Sequence, residues 1–72
     1  MITYAQAIER LSPALRERLN SALEEFAQNV KCARLEVKVL DCLDEIYRTH
    51  DLDVYQEITK VYQLTRDARE IG

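Results

Sequence analysis

Apolar residues recur at every third or fourth position along most of the chain, which is the spacing of one face of an α-helix. Polar segments typical of helix starts divide this pattern into three parts. The spacing therefore predicts three helices, at about residues 4–11, 13–49 and 54–71. We expect one all-α domain over residues 1–72, with a short N-terminal helix, a long central helix and a C-terminal helix that completes an antiparallel hairpin.

Each predicted helix begins at a recognisable cap. The segment Thr3-Tyr4-Ala5-Gln6 has the pattern of a capping box, with a hydroxyl at the N-cap and an amide three positions later. Ser12-Pro13 combines a favoured N-cap with a residue whose φ suits the first helical turn. Asp53 is the predicted cap of the last helix, with Asp51 as the alternative. Gly72 stands where a C-cap glycine would end it.

The predicted central helix is too long for a compact chain of this size. At 1.5 Å per residue, residues 13–49 would span about 55 Å, whereas 72 residues fold into a body about 30 Å across. The helix must either break, near residues 29–31, or continue and find cover on another chain. Because Asn29 is a weak breaker and no Gly follows it, we expect the helix to be continuous.

The second half of that helix carries two apolar stripes. One consists of Ala33, Val37, Leu40 and Tyr47, and the other consists of Cys32, Leu35, Val39, Cys42 and Ile46. The C-terminal helix can cover one stripe, and the first helix is too short to reach the other. We therefore predict that a second chain buries the second stripe, most simply as a twofold homodimer.

Size and tyrosine content agree with this hypothesis. A chain of about this length buries only about 60% of its unfolded surface and is marginal alone, so small scaffolds often gain stability by oligomerising. Tyrosine is enriched at interfaces because its ring buries area while its hydroxyl finds water or a partner. The predicted partner-binding residues are Leu35, Val39, Cys42, Ile46, Tyr47, Tyr55 and Tyr62.

Composition excludes several classes of function. The 72 residues include one Gly and one Pro, so no Gly-rich phosphate-binding loop is present. Thirteen acidic and ten basic residues give a net charge of −3 with both signs well mixed, which is not the basic face that nucleic-acid binding requires. The densest basic cluster, Arg10, Arg16 and Arg18, alternates with acidic residues and is interpreted as a solvated helix surface. The apolar runs are too short for a membrane span or signal peptide, and we expect a cytoplasmic protein that binds no membrane.

The candidate metal ligands do not complete a known pattern. The segment that starts at Asp51 resembles a calcium-binding loop, but Gln56 occupies the position that needs Gly and Tyr62 the position that needs a bidentate Glu. A zinc site built from Cys32, Cys42 and His50 would lack a fourth ligand. We therefore predict neither a metal nor a cofactor.

The candidate nucleophiles are equally isolated. On a straight helix, Cys42 and His50 lie about two turns apart, beyond hydrogen-bond reach. Cys32 and Cys42 would lie about 15 Å apart along the same axis, too far for a disulfide. With a single His and no room for a substrate pocket, we predict that the chain is not an enzyme and has no catalytic residues or small-molecule substrate.

Part of the last predicted helix resembles a known family. The matching positions are Tyr55, Gln56, Tyr62, Leu64, Arg66 and Ala68. This pattern is similar to the helix after the turn in type III secretion needle subunits, and a Tyr-Gln opening also occurs in the helical-hairpin chaperones that hold those subunits. The proline-bearing turn and the C-terminal polymerising segment of the needle family have no counterpart in this sequence. The resemblance implies a needle-chaperone-like accessory role.

The sequence therefore predicts a non-enzymatic helical protein–protein interaction module, such as an adaptor, accessory subunit or co-chaperone, which binds itself or a helical partner. A small dimeric regulator of transcription, antitoxin-like or phage-encoded, is the main alternative and would use the arginine cluster. The needle-chaperone-like accessory protein is a further alternative.

Overall fold

The chain folds as four helices packed together. A computed structural model describes residues 2–71, with side chains described for residues 2–68. The helices are α1 (Tyr4–Glu9), α2 (Pro13–Gln28), α3 (Ala33–Thr49) and α4 (Leu52–Ile71). No strand occurs in residues 2–71, so the all-α prediction is confirmed for this part of the chain. The predicted C-cap Gly72 lies outside the described residues.

The first two helices begin at the predicted caps. The backbone N–H of Thr3 donates to Gln6 Oε1 at 2.9 Å, and the backbone N–H of Gln6 donates to Thr3 Oγ1 at 3.2 Å. These reciprocal bonds satisfy two donors that a helix start leaves open. Ser12 Oγ accepts from the N–H of Leu15 at 3.3 Å, and Pro13 is the first helical residue. Local sequence therefore determines both starts.

The C-terminal end of α1 and the start of α4 each differ from the predicted position by two residues. α1 ends at Glu9 rather than at residue 11, because the N–H groups of Arg10 and Leu11 bond to carbonyls three residues back, which tightens the last turn. α4 starts at Leu52 rather than at residue 54. The carbonyl of Asp51, the alternative cap, accepts from a backbone N–H four residues later at 3.2 Å, so Asp53 lies inside the first turn.

The prediction of one continuous helix over residues 13–49 is wrong. α2 ends at Gln28 and α3 begins at Ala33, so the chain reverses within residues 29–32. Asn29 adopts φ −148° and ψ 70°, outside the helical region, while its N–H still bonds to the carbonyls of Glu25 and Phe26. The break occurs at Asn29, the weak helix breaker, and it allows α2 to pack back along α3.

This reversal buries the apolar stripe for which a second chain was predicted. α2 packs against α3, α4 packs against α3, and α1 packs against α4. Val39 and Ile46 of α3 have no exposed surface. The buried core consists of Ala7, Leu11, Leu15, Leu19, Ala22, Phe26, Val39, Cys42, Leu43, Ile46, Val54, Ile58 and Tyr62. The molecule has a radius of gyration of 11.7 Å and extends 32 × 23 × 17 Å, so the break resolves the mismatch between helix length and body size.

Arg16 ties α1 to the start of α2. Its Nε donates to the carbonyl of Ile8 at 3.2 Å, and its Nη2 donates to the carbonyls of Glu9 and Leu11 at 3.2 and 3.3 Å. A helix end leaves carbonyls without intrahelical partners, and a guanidinium fork can reach several of them at once. The guanidinium of Arg16 therefore caps α1 from the following helix.

Candidate protein-interaction site

The seven predicted partner-binding residues do not share one surface. Val39, Cys42 and Ile46 are buried, and Leu35 is partly buried against the same core. Burial raises the pKa of the Cys42 thiol above its usual value of 9.0, as expected for a thiol held away from water. Cys42 also lines the groove between α2 and α3, so α2 lies along this flank of α3. The premise that this stripe stays uncovered in a single chain is therefore wrong.

Tyr62 is buried as well, and it joins three helices. Its ring packs against Phe26 of α2 with centroids 5.7 Å apart, and its hydroxyl donates to Glu36 Oε2 of α3 at 2.7 Å. The guanidinium of Arg66 lies 5.6 Å from the centroid of the same ring, within the range of a cation–π contact. Burial and the bond to Glu36 raise the pKa of Tyr62 above 10.0. The side chain of Tyr62 thus stabilises the packing of α2, α3 and α4.

Two predicted residues, Tyr47 and Tyr55, remain on the surface as a pair. Tyr47 is 60% exposed and Tyr55 is half-buried. Their ring centroids lie 5.0 Å apart with an interplanar angle of 70°, the edge-to-face arrangement that aromatic quadrupoles favour. The pair bridges the end of α3 and the start of α4, so it presents rigid aromatic surface to solvent.

This tyrosine pair forms one end of an open groove between α3 and α4. The groove encloses about 350 Å³ and is lined by Leu40, Leu43, Asp44, Tyr47, Tyr55, Thr59, Tyr62 and Gln63. Leu40 is 43% exposed, and Val37, three residues before it on α3, is 53% exposed. Leu52 is 56% exposed at the start of α4, three residues before Tyr55. We call the groove together with these exposed apolar neighbours the α3–α4 face and define it by Val37, Leu40, Tyr47, Leu52 and Tyr55.

The apolar stripe of α3 that we expected the C-terminal helix to cover is therefore the one that stays partly exposed. Val37, Leu40 and Tyr47 belong to the stripe that the sequence assigned to the last helix. α4 instead packs beside Glu36, which bonds to Tyr62, and Leu43, which lines the groove with α4 residues, and α2 packs on the other flank of α3. The apolar character of Val37 and Leu40 was visible in the sequence, but which flank stays open depends on the direction in which residues 29–32 turn.

The polar groups that border the α3–α4 face carry both signs of charge. Asp44 and Arg48 form an ion pair one helical turn apart on α3, and both side chains are exposed. Glu36 and Arg66 are both half-buried, and they contact the hydroxyl and the ring of Tyr62, respectively. Thr59 Oγ1 is buried at the groove without a hydrogen-bond partner. The groove is therefore largely apolar, has Asp44 as its charged lining residue, and holds one unsatisfied hydroxyl.

A second groove lies between α2 and α3, and its chemistry differs. It encloses about 610 Å³ and is lined by Ala14, Glu17, Arg18, Ser21, Ala22, Glu25, Lys38, Asp41 and Cys42. Lys38 lies 3.6 Å from Glu25, and Arg18 lies 3.1 Å from Glu45. These exposed pairs link the two helices and are screened by solvent. Small and charged side chains dominate this groove, so it lacks the apolar anchors of the α3–α4 face.

The arginine cluster is dispersed by these contacts. Arg16 is partly buried and bonds to three carbonyls of the α1 end, and Arg18 pairs with Glu45 on α3. Arg10 is exposed just after α1. Two of the three cations are thus engaged within the chain.

Candidate chemistry is sparse among the side chains of residues 2–68. No three His, Cys, Asp or Glu residues come together there in a way that could hold a metal ion. The thiols of Cys32 and Cys42 are free, and backbone N–H groups at the start of α3, chiefly that of Leu35, lower the pKa of the Cys32 thiol below 9.0. His50 Nδ1 lies 2.8 Å from the hydroxyl of Thr49 in the α3–α4 turn.

Within the described part of the chain, no helix combines the length and the apolar character needed to cross a membrane. No family model, curated protein or solved structure matches this chain.

Proposed function

We propose that the chain is a non-enzymatic helical protein–protein interaction module that packs its α3–α4 face against helices of another protein chain. The observation that supports this most directly is the set of large apolar side chains left half-exposed on that face. Contiguous exposed apolar surface with a polar border is typical of protein interaction sites.

The arrangement of the face suits helical partners. Val37, Leu40 and Tyr47 lie on one side of α3 at helical spacing, and the groove beside them can accept side chains from an opposing helix. The Tyr47–Tyr55 pair supplies rigid aromatic area, which loses little conformational entropy when it is covered. Tyr47 and Tyr55 therefore stay as proposed partner-binding residues, and Leu40 and Val37 join them.

The alternatives have less support in the contacts. A transcription regulator that reads nucleic acid through the arginine cluster would have to release Arg16 from three carbonyls and Arg18 from Glu45. A needle-chaperone-like accessory role stays an alternative, and of the positions that carry that resemblance only Tyr55 belongs to the α3–α4 face, since Tyr62 is buried. The two free thiols suit a reducing compartment such as the cytoplasm, where we place the protein.

Photo-cross-linking in the native cell tests this proposal directly. A photoreactive phenylalanine derivative replaces Tyr47 in the full chain, and the control carries it at Leu64. Leu64 is 70% exposed and follows Tyr62 by two positions, so it lies about 200° around α4 from the buried side. We expect covalent adducts with a protein chain, identified by mass spectrometry, from position 47 and not from position 64.

A matched pair of substitutions adds the second measurement. Leu40→Ser in the position-47 reporter should abolish the adduct, whereas Leu64→Ser should leave it unchanged, because only Leu40 lines the groove. Equal cross-linking at positions 47 and 64, or adducts that survive Leu40→Ser, would overturn the proposal. Adducts from position 47 to nucleic acid instead of protein would favour the transcription regulator.

A further inference from the structure

One carboxylate interrupts the apolar surface of the α3–α4 face. Asp44 follows Leu40 by four positions and precedes Tyr47 by three, so the three side chains lie on one side of α3. Among the side chains of residues 2–68 that line the groove, Asp44 is the charged one, and it is 56% exposed. A helix that covers Leu40 and Tyr47 therefore also covers the carboxylate of Asp44.

Coverage of this carboxylate determines what the partner must supply. An ionised carboxylate that leaves water without a counter-charge carries a large desolvation penalty, so a wholly apolar partner surface is disfavoured at this position. A Lys or Arg that faces Asp44 replaces the lost water with a charge-assisted hydrogen bond. The net charge of −3 on the whole chain attracts such a cationic partner over a longer range.

The intrachain partner of Asp44 leaves room for a second cation. Arg48 is 72% exposed, and it lines a depression beside α2 rather than the groove. Three carboxylates and two guanidinium groups line that depression, those of Asp41, Asp44, Glu45, Arg18 and Arg48. Arg48 contacts Oδ2 of Asp44, and a carboxylate can accept further donors at its other oxygen. Asp44 can therefore accept a cationic donor from another chain.

A second copy of this chain does not meet this requirement. It would bring its own Asp44 to the covered surface, and no cationic side chain of residues 2–68 lines the groove to pair with either carboxylate. Carboxylates brought together in this way disfavour association. The charge of the groove therefore favours a different protein chain as its occupant.

We propose that the occupant of the α3–α4 face is a helix of a different protein chain whose apolar side carries one Lys or Arg, and that this cation pairs with the carboxylate of Asp44. This inference rests on the proposed function and names the chemistry of its partner. Side chains three positions apart on a helix have Cβ atoms about 5–6 Å apart. The cation therefore lies within about one helical turn of the partner residue that contacts Tyr47.

Substitutions in the position-47 photo-cross-linking reporter test this pairing in the full-length chain. The native-cell lysate is diluted stepwise before illumination, so that the dilution that halves the adduct yield ranks the affinities. In Asp44→Asn, at least about tenfold less dilution should halve the yield, because the partner's cation loses its counter-charge. In Arg48→Gln, about two- to fivefold more dilution should be needed, because a competing and repelling cation is removed.

Asp41→Asn is the matched control. Asp41 is exposed on the same helix, lines the depressions beside α2 and not the α3–α4 groove, and its substitution changes the net charge by the same amount. The control should leave the adduct unchanged, and circular dichroism checks that each variant remains helical. Opposite effects of Asp44→Asn and Arg48→Gln would not arise if the ion pair only stabilised α3, because either substitution removes that pair.

Tandem mass spectrometry of the adduct identifies the partner segment at the cross-link. A Lys or Arg should occur within about four residues of the cross-linked position, in a segment with apolar residues at every third or fourth position. Replacement of that cation by Glu should abolish the adduct, and Asp44→Lys in the reporter should restore it.

The outcomes separate this inference from the proposed function. The absence of any adduct from position 47 would overturn the proposed function and this inference with it. Adducts that respond equally to Asp44→Asn and Asp41→Asn, or that weaken in Arg48→Gln, would overturn the pairing and leave the interaction module standing. A cross-linked segment without a nearby cation, or an adduct to a second copy of this chain, would have the same consequence.

Discussion

Removal of one hydroxyl, in Tyr62→Phe, should measurably destabilise the fold. The hydroxyl of Tyr62 donates to the carboxylate of Glu36 at 2.7 Å, in a partly buried position between α3 and α4. Hydrogen bonds to charged groups contribute about 1.5–3 kcal/mol. We expect the lower end, about 1.5 kcal/mol, because half-buried Glu36 can regain water when the hydroxyl is removed. The ring stays in place, so the contact with Phe26 is retained.

A double-mutant cycle with Glu36→Ala isolates that hydrogen bond from the other effects of each substitution. Urea unfolding at constant pH measures the free energies, and with a slope of about 1 kcal/mol/M for a small domain the midpoint should fall by about 1.5 M in Tyr62→Phe. The two substitutions should show a coupling energy of about 1 kcal/mol. Tyr47→Phe is the matched control and should be nearly neutral, because the Tyr47 side chain is mostly exposed.

Two results would refute this reasoning. A coupling energy below about 0.3 kcal/mol would mean that the hydroxyl of Tyr62 exchanges its carboxylate partner for water at no cost. A loss in Tyr47→Phe equal to that in Tyr62→Phe would mean that loss of any tyrosine hydroxyl destabilises the chain to the same extent. In the first case Tyr62 would contribute through its ring alone, and in the second the loss in Tyr62→Phe would not report on the bond to Glu36.

The remaining predictions concern other contacts of the fold. Thr59→Val should raise stability by about 1 kcal/mol, because it removes a buried hydroxyl without a partner; calorimetry should show a higher melting temperature, and a lower one would mean that the hydroxyl is satisfied. Arg16→Met should cost about 1–2 kcal/mol and speed hydrogen exchange in α1, since it removes three bonds to carbonyls, and Arg16→Lys should recover only part of this. Burial raises the pKa of Tyr4 and of Tyr62 above 10.0, so these tyrosines ionise first in the unfolded chain; their contribution to stability should be constant below about pH 10 and fall above it, with a smaller fall in Tyr62→Phe, and equal losses above about pH 10 in the two proteins would contradict this. Asn29→Ala should leave the radius of gyration by X-ray scattering equal to that of wild type at the same concentration, because a gain in helix propensity of less than about 1 kcal/mol is too small to straighten residues 29–32; a longer particle would contradict this.

Local signals predicted the starts of α1 and α2. The caps at Thr3 and Ser12-Pro13 depend on side chains within three residues of the helix start, so sequence alone specifies them. The start of α4 was misplaced by two residues because Asp51 and Asp53 offer similar capping chemistry, and nothing local separates them. Residues 29–32 carried only a weak signal in Asn29, and the reversal there is decided by contacts between distant segments.

The chain reverses at residues 29–32 in spite of that weak signal because of the free energy of apolar burial. Folding α2 back on α3 buries Val39 and Ile46 completely, and each large aliphatic side chain moved out of water contributes about 1.5–3 kcal/mol. Interrupting the helix forfeits a few backbone hydrogen bonds, each worth about 1 kcal/mol net because water replaces the lost partner. Burial therefore outweighs helix continuity. The apolar pattern of one helix does not reveal this difference between burial and lost hydrogen bonds, because the surface that buries its side chains lies on another segment of the same chain.

One part of the prediction of a partner chain still has physical support: some apolar surface of α3 stays exposed. α3 carries apolar residues around more than half of its circumference, and α2 and α4, the two helices that pack against it, do not cover all of it. Once α2 covers the flank of Val39 and Ile46 and α4 packs beside it, the flank of Leu40 and Tyr47 is what remains open. The chain still has more apolar surface than it can bury alone, but on the opposite flank of the helix. Substitutions at Val39 or Ile46 would therefore test only stability, whereas Leu40 and Tyr47 are the positions at which an interaction can be separated from the fold.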